Sequence, residues 1–237
     1  MIIFIWCSYF HNEFGRVELN DKWNFINKEG KYLFDQWFDE CYGFNDDYAR
    51  IKLKHNYNFV NADGEYLFDQ WFDYCDEFHE GFARVVLKGK WNYINLDGNF
   101  LSEEWFGWCS AFRDGFAVIE LDGKYNFIDK EGKYLFDRWF NHCSNFSEGF
   151  AVIELNEKWN FIDKEGRYLS EQWFDGCDFF HEGFARVILT CRWNYINTDG
   201  KLLSGQWFDW CDNFHEGFAV VELNSKRYKI DKTGKKI

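Results

Sequence analysis

The stretch that sets the architecture of this chain runs from Phe146 to Phe180 and reads FSEGFAVIELNEKWNFIDKEGRYLSEQWFDGCDFF. Near-copies of it recur in both directions at a constant spacing of 34 residues, without insertion or deletion. Seven of the eight cysteines mark this register: Cys7, Cys41, Cys75, Cys109, Cys143, Cys177 and Cys211. The sequence therefore predicts a single repeat domain over residues 1–237, built from about seven units of 34 residues.

Each unit begins with a segment in which small or aliphatic residues alternate with variable ones. In Phe82–Leu87, Ala83 and Val85 alternate with Arg84 and Val86. This period of two predicts a strand with one buried face. The positions that vary between copies, such as Arg84 and Val86, are expected to face outward or nearly so.

A tight turn and a second strand follow, as in Lys88-Gly89 and Lys90–Ile94. The pair predicts a β-hairpin, and its Lys-Gly and Asp-Gly copies are closest to the primed turn types. A glycine such as Gly132 then closes a second turn in the left-handed conformation. We expect a third strand at Lys31–Phe34 and an irregular or short helical connection over residues 34–44.

These elements predict an all-β tandem array of three-stranded units. One unit is too small to bury a core by itself, so neighbouring units must cover each other's apolar faces. An open, β-solenoid-like array is favoured, because Arg227 and Lys229 replace aromatic residues in the last copy, as a polar cap would. A closed, propeller-like ring of seven units is the alternative, since the chain begins with the connection segment that the last copy lacks.

The net charge and the first residues of the chain limit which classes of function are possible. The formal net charge is −13 and the isoelectric point is about 4.9, so we expect no direct nucleic-acid binding and a protein partner with a basic surface. The apolar start, Met1 to Trp6, is too short for a signal peptide or a membrane span. The sequence thus predicts a cytoplasmic location, no membrane association and reduced thiols.

The motif of the clearest copy resembles the WG repeat family, also called KWG repeats. Glu148–Ala151 and the run from Lys158-Trp159 to Gly166 stand at the family's positions, and the resemblance covers essentially the whole chain. It implies a β-rich repeat array used for interaction, found mostly in bacteria and their mobile elements, with no defined catalysis. The glycine that follows the family's tryptophan is here Asn24, Asn58, Asn92, Asn126, Asn160 or Asn194. Asparagine tolerates a left-handed backbone better than other residues, so we expect that geometry to persist.

The cysteines do not indicate a metal site. Zinc ligands must converge, and no CxxC pair occurs in the sequence. We expect the seven register cysteines to be buried packing residues and Cys191, in a hairpin turn, to be the most exposed thiol. No metal and no cofactor are predicted.

Partner-binding candidates come from positions that vary between copies. The position before each register cysteine holds Trp6, Glu40, Tyr74, Trp108, His142, Gly176 or Trp210, and such latitude fits an outward-facing contact surface formed by Trp6, Tyr74, Trp108 and Trp210. Two neighbouring positions supply His11, His79, His181 and His215, and Glu80, Glu182 and Glu216. Because near-equivalent copies recur, these His and carboxylate residues indicate a solvated surface rather than a catalytic set, and we predict no enzyme activity.

The sequence favours a non-catalytic protein–protein interaction module with a repetitive, acidic and aromatic-rich surface. The alternative is an acidic inhibitor that occupies the basic groove of a nucleic-acid-binding enzyme, as anti-CRISPR and other phage anti-defence proteins do. A carbohydrate-binding module is the third possibility, because exposed tryptophan stacks on sugars.

Overall fold

The computed structural model describes residues 6–8, 10, 13–45 and 47–237, and for Trp6 and Cys7 the backbone only. These residues form 21 β-strands, and none of them lies in a helix. The strands build seven three-stranded antiparallel sheets, each made of three consecutive strands in chain order, from β1-β2-β3 to β19-β20-β21. The chain divides into two compact units, Met1–Ala111 and Phe112–Ile237.

Two six-residue strands in each sheet form a hairpin. The middle strands are β2 (Phe14–Leu19), β5 (Tyr48–Leu53), β8 (Phe82–Leu87), β11 (Phe116–Leu121), β14 (Phe150–Leu155), β17 (Phe184–Leu189) and β20 (Phe218–Leu223). Their hairpin partners are β3 (Lys22–Asn27), β6 (Asn56–Asn61), β9 (Lys90–Asn95), β12 (Lys124–Asp129), β15 (Lys158–Asp163), β18 (Arg192–Asn197) and β21 (Lys226–Asp231).

The remaining strand of each sheet precedes its hairpin and ends at or near the register cysteine. Six of these strands have two residues and one has six: β1 (Trp6–Cys7), β4 (Glu40–Cys41), β7 (Tyr74–Cys75), β10 (Trp108–Cys109), β13 (His142–Cys143), β16 (Gly176–His181) and β19 (Trp210–Cys211).

The hairpin turns confirm the sequence prediction. Both turn residues have positive φ in all seven copies, for example 50° at Asp122 and 76° at Gly123. The Thr190-Cys191 copy adopts the same geometry without glycine, with φ of 49° and 61°. Two consecutive left-handed residues define the type I′ turn, whose twist matches that of the flanking strands.

The predicted third strand at 31–34 is wrong. For the following connection, the irregular form is confirmed, and the described residues there contain no helical turn. Tyr32 forms only an isolated bridge to Ile26, and the Leu33 amide donates to the Phe25 carbonyl at 2.9 Å. The next carbonyl, of Phe34, accepts from the side chain of Asn24 at 2.8 Å, so the backbone leaves the ladder there. The third strand of each sheet is instead the strand that contains the register cysteine, and it pairs with the hairpin that follows it.

The asparagine after each hairpin tryptophan or tyrosine does not adopt the expected left-handed conformation. Asn160 lies inside β15 and is fully buried, as are its five equivalents, and none of the six has positive φ. Its Nδ2 donates to the carbonyls of Ser170 and Gln172 at 2.8 and 3.5 Å, and its Oδ1 accepts from the Phe161 amide at 2.8 Å. The residue therefore replaces glycine for its hydrogen bonds and not for its backbone freedom.

The core is shared between consecutive repeats. One cluster joins Val118 and Phe127 to Phe140, Cys143 and Ile153 of the next repeat. Val86, Val118 and Val152, which we expected to face outward, are 9%, 2% and 5% exposed. The reason for Val118 is visible in this cluster, because the following repeat packs over that face of the middle strand, and Val152 lies in the corresponding cluster of the next repeat.

Carboxylates connect the hairpins of successive repeats. The Asp39 side chain accepts from the Lys54 amide in the next hairpin turn at 2.6 Å and pairs with Lys22 of the preceding hairpin. These hydrogen bonds to Lys22 and to the Lys54 amide hold the pKa of Asp39 below its ordinary value. Asp175 has the same arrangement with Lys158 and Thr190, so this contact is a repeated feature of the fold.

We predict that Asn160→Ala lowers the free energy of unfolding by about 2–4 kcal/mol, because it leaves an amide and two carbonyls without their buried partner. Urea titration followed by tryptophan fluorescence measures this loss. Asn99→Ala, at an exposed asparagine, is the control and should change stability little. Equal losses in the two variants would show that the buried asparagine does not stabilise the repeat.

Gly200→Ala should destabilise the protein more than Gly166→Ala does. Both glycines have φ near 80° (78° and 79°), so both substitutions carry the same left-handed cost of about 1–2 kcal/mol. A Cβ on Gly200 would also overlap the carbonyl oxygen of Leu169, whereas a Cβ on Gly166 meets its nearest atom at an ordinary 3.6 Å. Matched urea titrations of the two variants measure the difference, and indistinguishable midpoints would refute the steric argument.

Candidate functional site

The variable position before the register cysteine lies beside an aromatic position of the same sheet. Tyr74 in β7 is opposite Val86 in β8, which is opposite Trp91 in β9. The register places these three residues on one face of the sheet. We call the two aromatic positions together, as they recur along the chain, the outer aromatic row.

In the unit Met1–Ala111 the outer aromatic row is continuous over three rings. Tyr74 lies between Tyr57 of the preceding sheet and Trp91 of its own sheet, with ring centroids 5.7 and 5.8 Å apart. Tyr74 is 37% exposed and Trp108, which occupies the equivalent position one repeat later, is 41% exposed. Large apolar side chains are thus held by ring contacts while one side of each remains accessible to solvent.

In the unit Phe112–Ile237 the row is more polar. His142 lies between Tyr125 and Trp159 at centroid distances of 6.0 and 5.5 Å. The Arg227 guanidinium lies 5.0 Å from the ring centre of Trp210, a cation–π contact. The side chains that contact the row therefore differ between repeats: some are aromatic and others are cationic.

Arginines on the middle strands support the row from beside it. The Arg84 guanidinium lies 5.4 Å from the Trp91 ring, its Nε donates to Asp76 at 2.8 Å, and its Nη1 donates to the Cys109 carbonyl at 2.9 Å. Arg186 makes the same three kinds of contact with Trp193, Asp178 and Cys211. These two cations hold the row in place through contacts within the protein.

The predicted site residues do not all lie on this row. Trp6 belongs to β1, but its side chain is outside the description, and His11 lies outside the described residues. Tyr74 and Trp108 are exposed and Trp210 is half-buried, all on the row. The histidines and glutamates are exposed at a neighbouring loop: His79, His181, His215, Glu80, Glu182 and Glu216.

Glu182 has a structural role at that loop. Its carboxylate accepts from the amides of Glu216 and Gly217 at 2.7 and 3.0 Å and pairs with Lys232 at 3.1 Å. These contacts, that with Lys232 first, lower the pKa of Glu182. Glu148 makes the equivalent contacts with the amides of Glu182 and Gly183, so the glutamate of this motif connects one repeat to the next.

Sequence reasoning missed a second set of exposed aromatic side chains, which lie next to the half-buried tryptophans. Tyr168 is 38% exposed and its ring centroid lies 5.3 Å from that of Trp173. The equivalent exposed residues are Tyr66, Phe100 and Tyr134. The signal was a position that is aromatic in five of seven copies, but the segment that contains it was assigned to a strand.

The described residues contain neither a cluster of metal ligands nor a membrane-spanning helix. No three His, Cys, Asp or Glu side chains in that part of the chain converge as metal ligands. No helix there is long and apolar enough to cross a membrane.

The described thiols follow the prediction except at Cys177, and the side chain of Cys7 lies outside the described residues. Cys41, Cys75, Cys109, Cys143 and Cys211 are buried, Cys177 is half-buried and Cys191 is exposed. Burial raises the pKa of Cys75, Cys109 and Cys211 to about 12. These thiols are therefore almost entirely protonated near neutral pH and are weak nucleophiles.

We predict that Cys191 reacts rapidly with a disulfide reagent in the folded protein at pH 8, whereas the buried thiols react only on unfolding. The measurement is the number of fast equivalents released from the wild type and from Cys191→Ser under native conditions. The variant should lose one fast equivalent, and its total in denaturant should fall by that same one, from eight to seven. An unchanged number of fast equivalents would contradict the assignment.

Comparison with known proteins supports the repeat architecture. A family model described as WG containing repeat matches six successive segments, residues 25–57, 59–91, 93–125, 127–159, 161–189 and 193–226. These segments cover most of the chain. No curated protein matches the sequence.

Similarity to solved structures is weak. Hsv2p of Kluyveromyces lactis aligns over 95% of this chain and 92% of its own, at 9% identity and a TM-score of 0.38. Hsv2 of Kluyveromyces marxianus aligns over 92% and 88%, at 10% identity and 0.38. The dihydro-heme d1 dehydrogenase NirN aligns over 93% and 57%, at 12% identity and 0.38. Scores this low do not establish a shared fold.

Proposed function

The chain belongs to the WG containing repeat family, and we propose that it is a non-catalytic module that binds a protein partner through the outer aromatic row. The observation that carries this proposal is the exposure of large aromatic side chains at a position that folding does not constrain. Trp108 and Tyr74 occupy the same repeat position as Glu40 and Gly176, so the sheet forms with or without a ring there. Exposed tryptophan and tyrosine are typical of protein-binding surfaces.

Charge indicates the chemistry of the partner. The chain carries a net charge of −13, and Glu120, Glu154 and Glu222 lie on the middle strands, in register with the row. A lysine or arginine from a partner could contact both a ring face and a carboxylate there. We therefore propose a partner whose contact surface is basic.

An inhibitor of a nucleic-acid-binding enzyme is a narrower form of the same proposal. Such an enzyme has a basic groove, and an acidic surface that occupies it would compete with the nucleic acid. Carbohydrate binding is a separate outcome, in which tryptophan stacking alone supplies the affinity and salt has little effect.

The test compares wild-type protein with Trp108→Ala and Trp210→Ala as bait in lysate of the source cell, with elution by a salt gradient and identification by mass spectrometry. Partner affinity, measured afterwards with the purified partner, should fall about tenfold or more in each variant. Phe179→Ala is the matched control, because Phe179 is 47% exposed and lies outside the row. Circular dichroism checks that all variants are folded.

The outcomes separate the alternatives. A basic protein released by moderate salt and lost with the tryptophan variants supports the proposal, and its displacement by nucleic acid identifies the inhibitor form. A partner that binds the tryptophan variants as tightly as the wild type refutes a role for the row. Salt-independent sugar binding that quenches tryptophan fluorescence would replace protein binding with carbohydrate binding.

A further inference from the structure

A cavity of about 340 Å³ lies in the unit Met1–Ala111, between the second and third hairpins. Aromatic and aliphatic side chains form much of its wall, among them Tyr48, Phe59, Phe78 and Leu96. One cation, Arg50, also lines it. Its size is at the lower end of the range for small-molecule sites, roughly 300–1,000 Å³.

Residues that break the repeat pattern converge on this cavity. Tyr48 replaces a phenylalanine that all six other copies have, and Leu96 occupies a position that is lysine in four copies. Tyr42 occupies a position where the other copies have only serine or aspartate: Ser8, Asp76, Ser110, Ser144, Asp178 and Asp212. Repeat-to-repeat packing requires none of these changes, because the other sheets form without them. Their convergence at one place indicates a local function.

The equivalents of Arg50 show what this arginine position binds. Arg84 and Arg186 each direct Nε and Nη2 to one oxygen of an aspartate, with Nε distances of 2.8 Å to Asp76 and 3.1 Å to Asp178. Two parallel N–H groups on one edge of the guanidinium are suited to a carboxylate. In both repeats the protein supplies that carboxylate itself.

Arg50 has lost this partner because Tyr42 stands where the aspartate would be. Its Nη1 donates to the Cys75 carbonyl at 2.8 Å, as in the other repeats, but its buried Nε has no hydrogen-bond partner. The Tyr42 ring lies 3.8 Å from the guanidinium and stacks on it. A buried donor without an acceptor is costly, and this distinguishes Arg50 from Arg84 and Arg186, whose Nε is satisfied within the chain.

The carboxylate that contacts Tyr42 is committed elsewhere. Glu40 accepts from the Tyr42 hydroxyl at 2.6 Å and from the Lys52 ammonium at 2.7 Å, and these contacts, led by that with Lys52, lower its pKa. The same contact fixes the Tyr42 ring over the guanidinium. The arrangement thus presents a preorganised cation beside an apolar cavity.

We propose that this cavity binds a small monocarboxylate with an apolar body. The carboxylate pairs with the Arg50 guanidinium, which lines the cavity, and the apolar body packs against Tyr48, Phe59 and Phe78. Asp47 and Glu77 also line the cavity and are exposed, so they repel ligands with two or more negative charges. Phosphates and tricarboxylates are therefore disfavoured.

The probe for this site is 3-phenylpropionate, titrated into the full chain by isothermal calorimetry. The comparison ligand is 2-phenylethylamine, which keeps the ring and replaces the carboxylate with an ammonium group. We expect saturable binding of one 3-phenylpropionate per chain and at least tenfold weaker binding of the amine. Absence of saturable binding at millimolar probe, or equal binding of the two compounds, overturns the proposal.

The decisive variant is Tyr42→Asp, because it restores the internal carboxylate that Arg84 and Arg186 have. It should fold at least as stably as the wild type and bind 3-phenylpropionate at least tenfold more weakly. Tyr66→Asp makes the same chemical change on an exposed tyrosine of the same unit, outside both the cavity and the outer aromatic row, and should leave probe binding unchanged. Arg50→Gln, provided that it remains folded by circular dichroism, should also lose binding. Wild-type affinity in folded Tyr42→Asp overturns the assignment of Arg50 as the carboxylate-binding residue.

Discussion

The buried asparagine of each hairpin is the contact on which the repeat depends. In six copies its amide nitrogen donates to two carbonyls of the connection that follows, and its oxygen accepts from the next backbone amide, as for Asn160 with Ser170, Gln172 and Phe161. The connection contains no regular secondary structure that could satisfy these carbonyls. One fully buried side chain therefore allows an irregular segment to pack against the hairpin without leaving polar groups unpaired.

Once that segment is fixed, the remaining contacts run from one repeat to the next. The connection delivers the short strand to the edge of the following hairpin, where Cys41 pairs with Ile51. Asp39 then caps the turn of that hairpin, and Arg16 donates to the Cys41 carbonyl from the preceding sheet. The hydrophobic clusters of the described residues combine side chains from consecutive repeats, so stability is expected to grow with the number of neighbours that cover each face.

Regular packing also explains how function could be added without disturbing the fold. Positions that the packing fixes, such as the buried phenylalanines and Ala151, hardly vary, whereas positions on the outer row and at the Tyr42 cavity do. The outer row changes one side chain per repeat and could contact a long surface. The cavity gathers several changes in one repeat and could bind one small molecule. The outer aromatic row and the cavity are formed by different variable positions. Each can therefore be tested by substitutions that leave the other unchanged.

The sequence by itself determined the features that depend on neighbours a few residues apart. The 34-residue period, the type I′ hairpins, the left-handed glycine turns and the burial of five register cysteines all follow from local backbone preference and from side-chain size. The tertiary structure decided which segment forms the third strand, why asparagine replaces glycine and where Arg50 lacks a partner. Each of these depends on which atoms meet across separations such as the 10 residues from Asn24 to Phe34 or the 25 from Arg50 to Cys75. Local backbone preferences do not determine these contacts, because the contacts depend on the path that the chain takes between two residues distant in sequence.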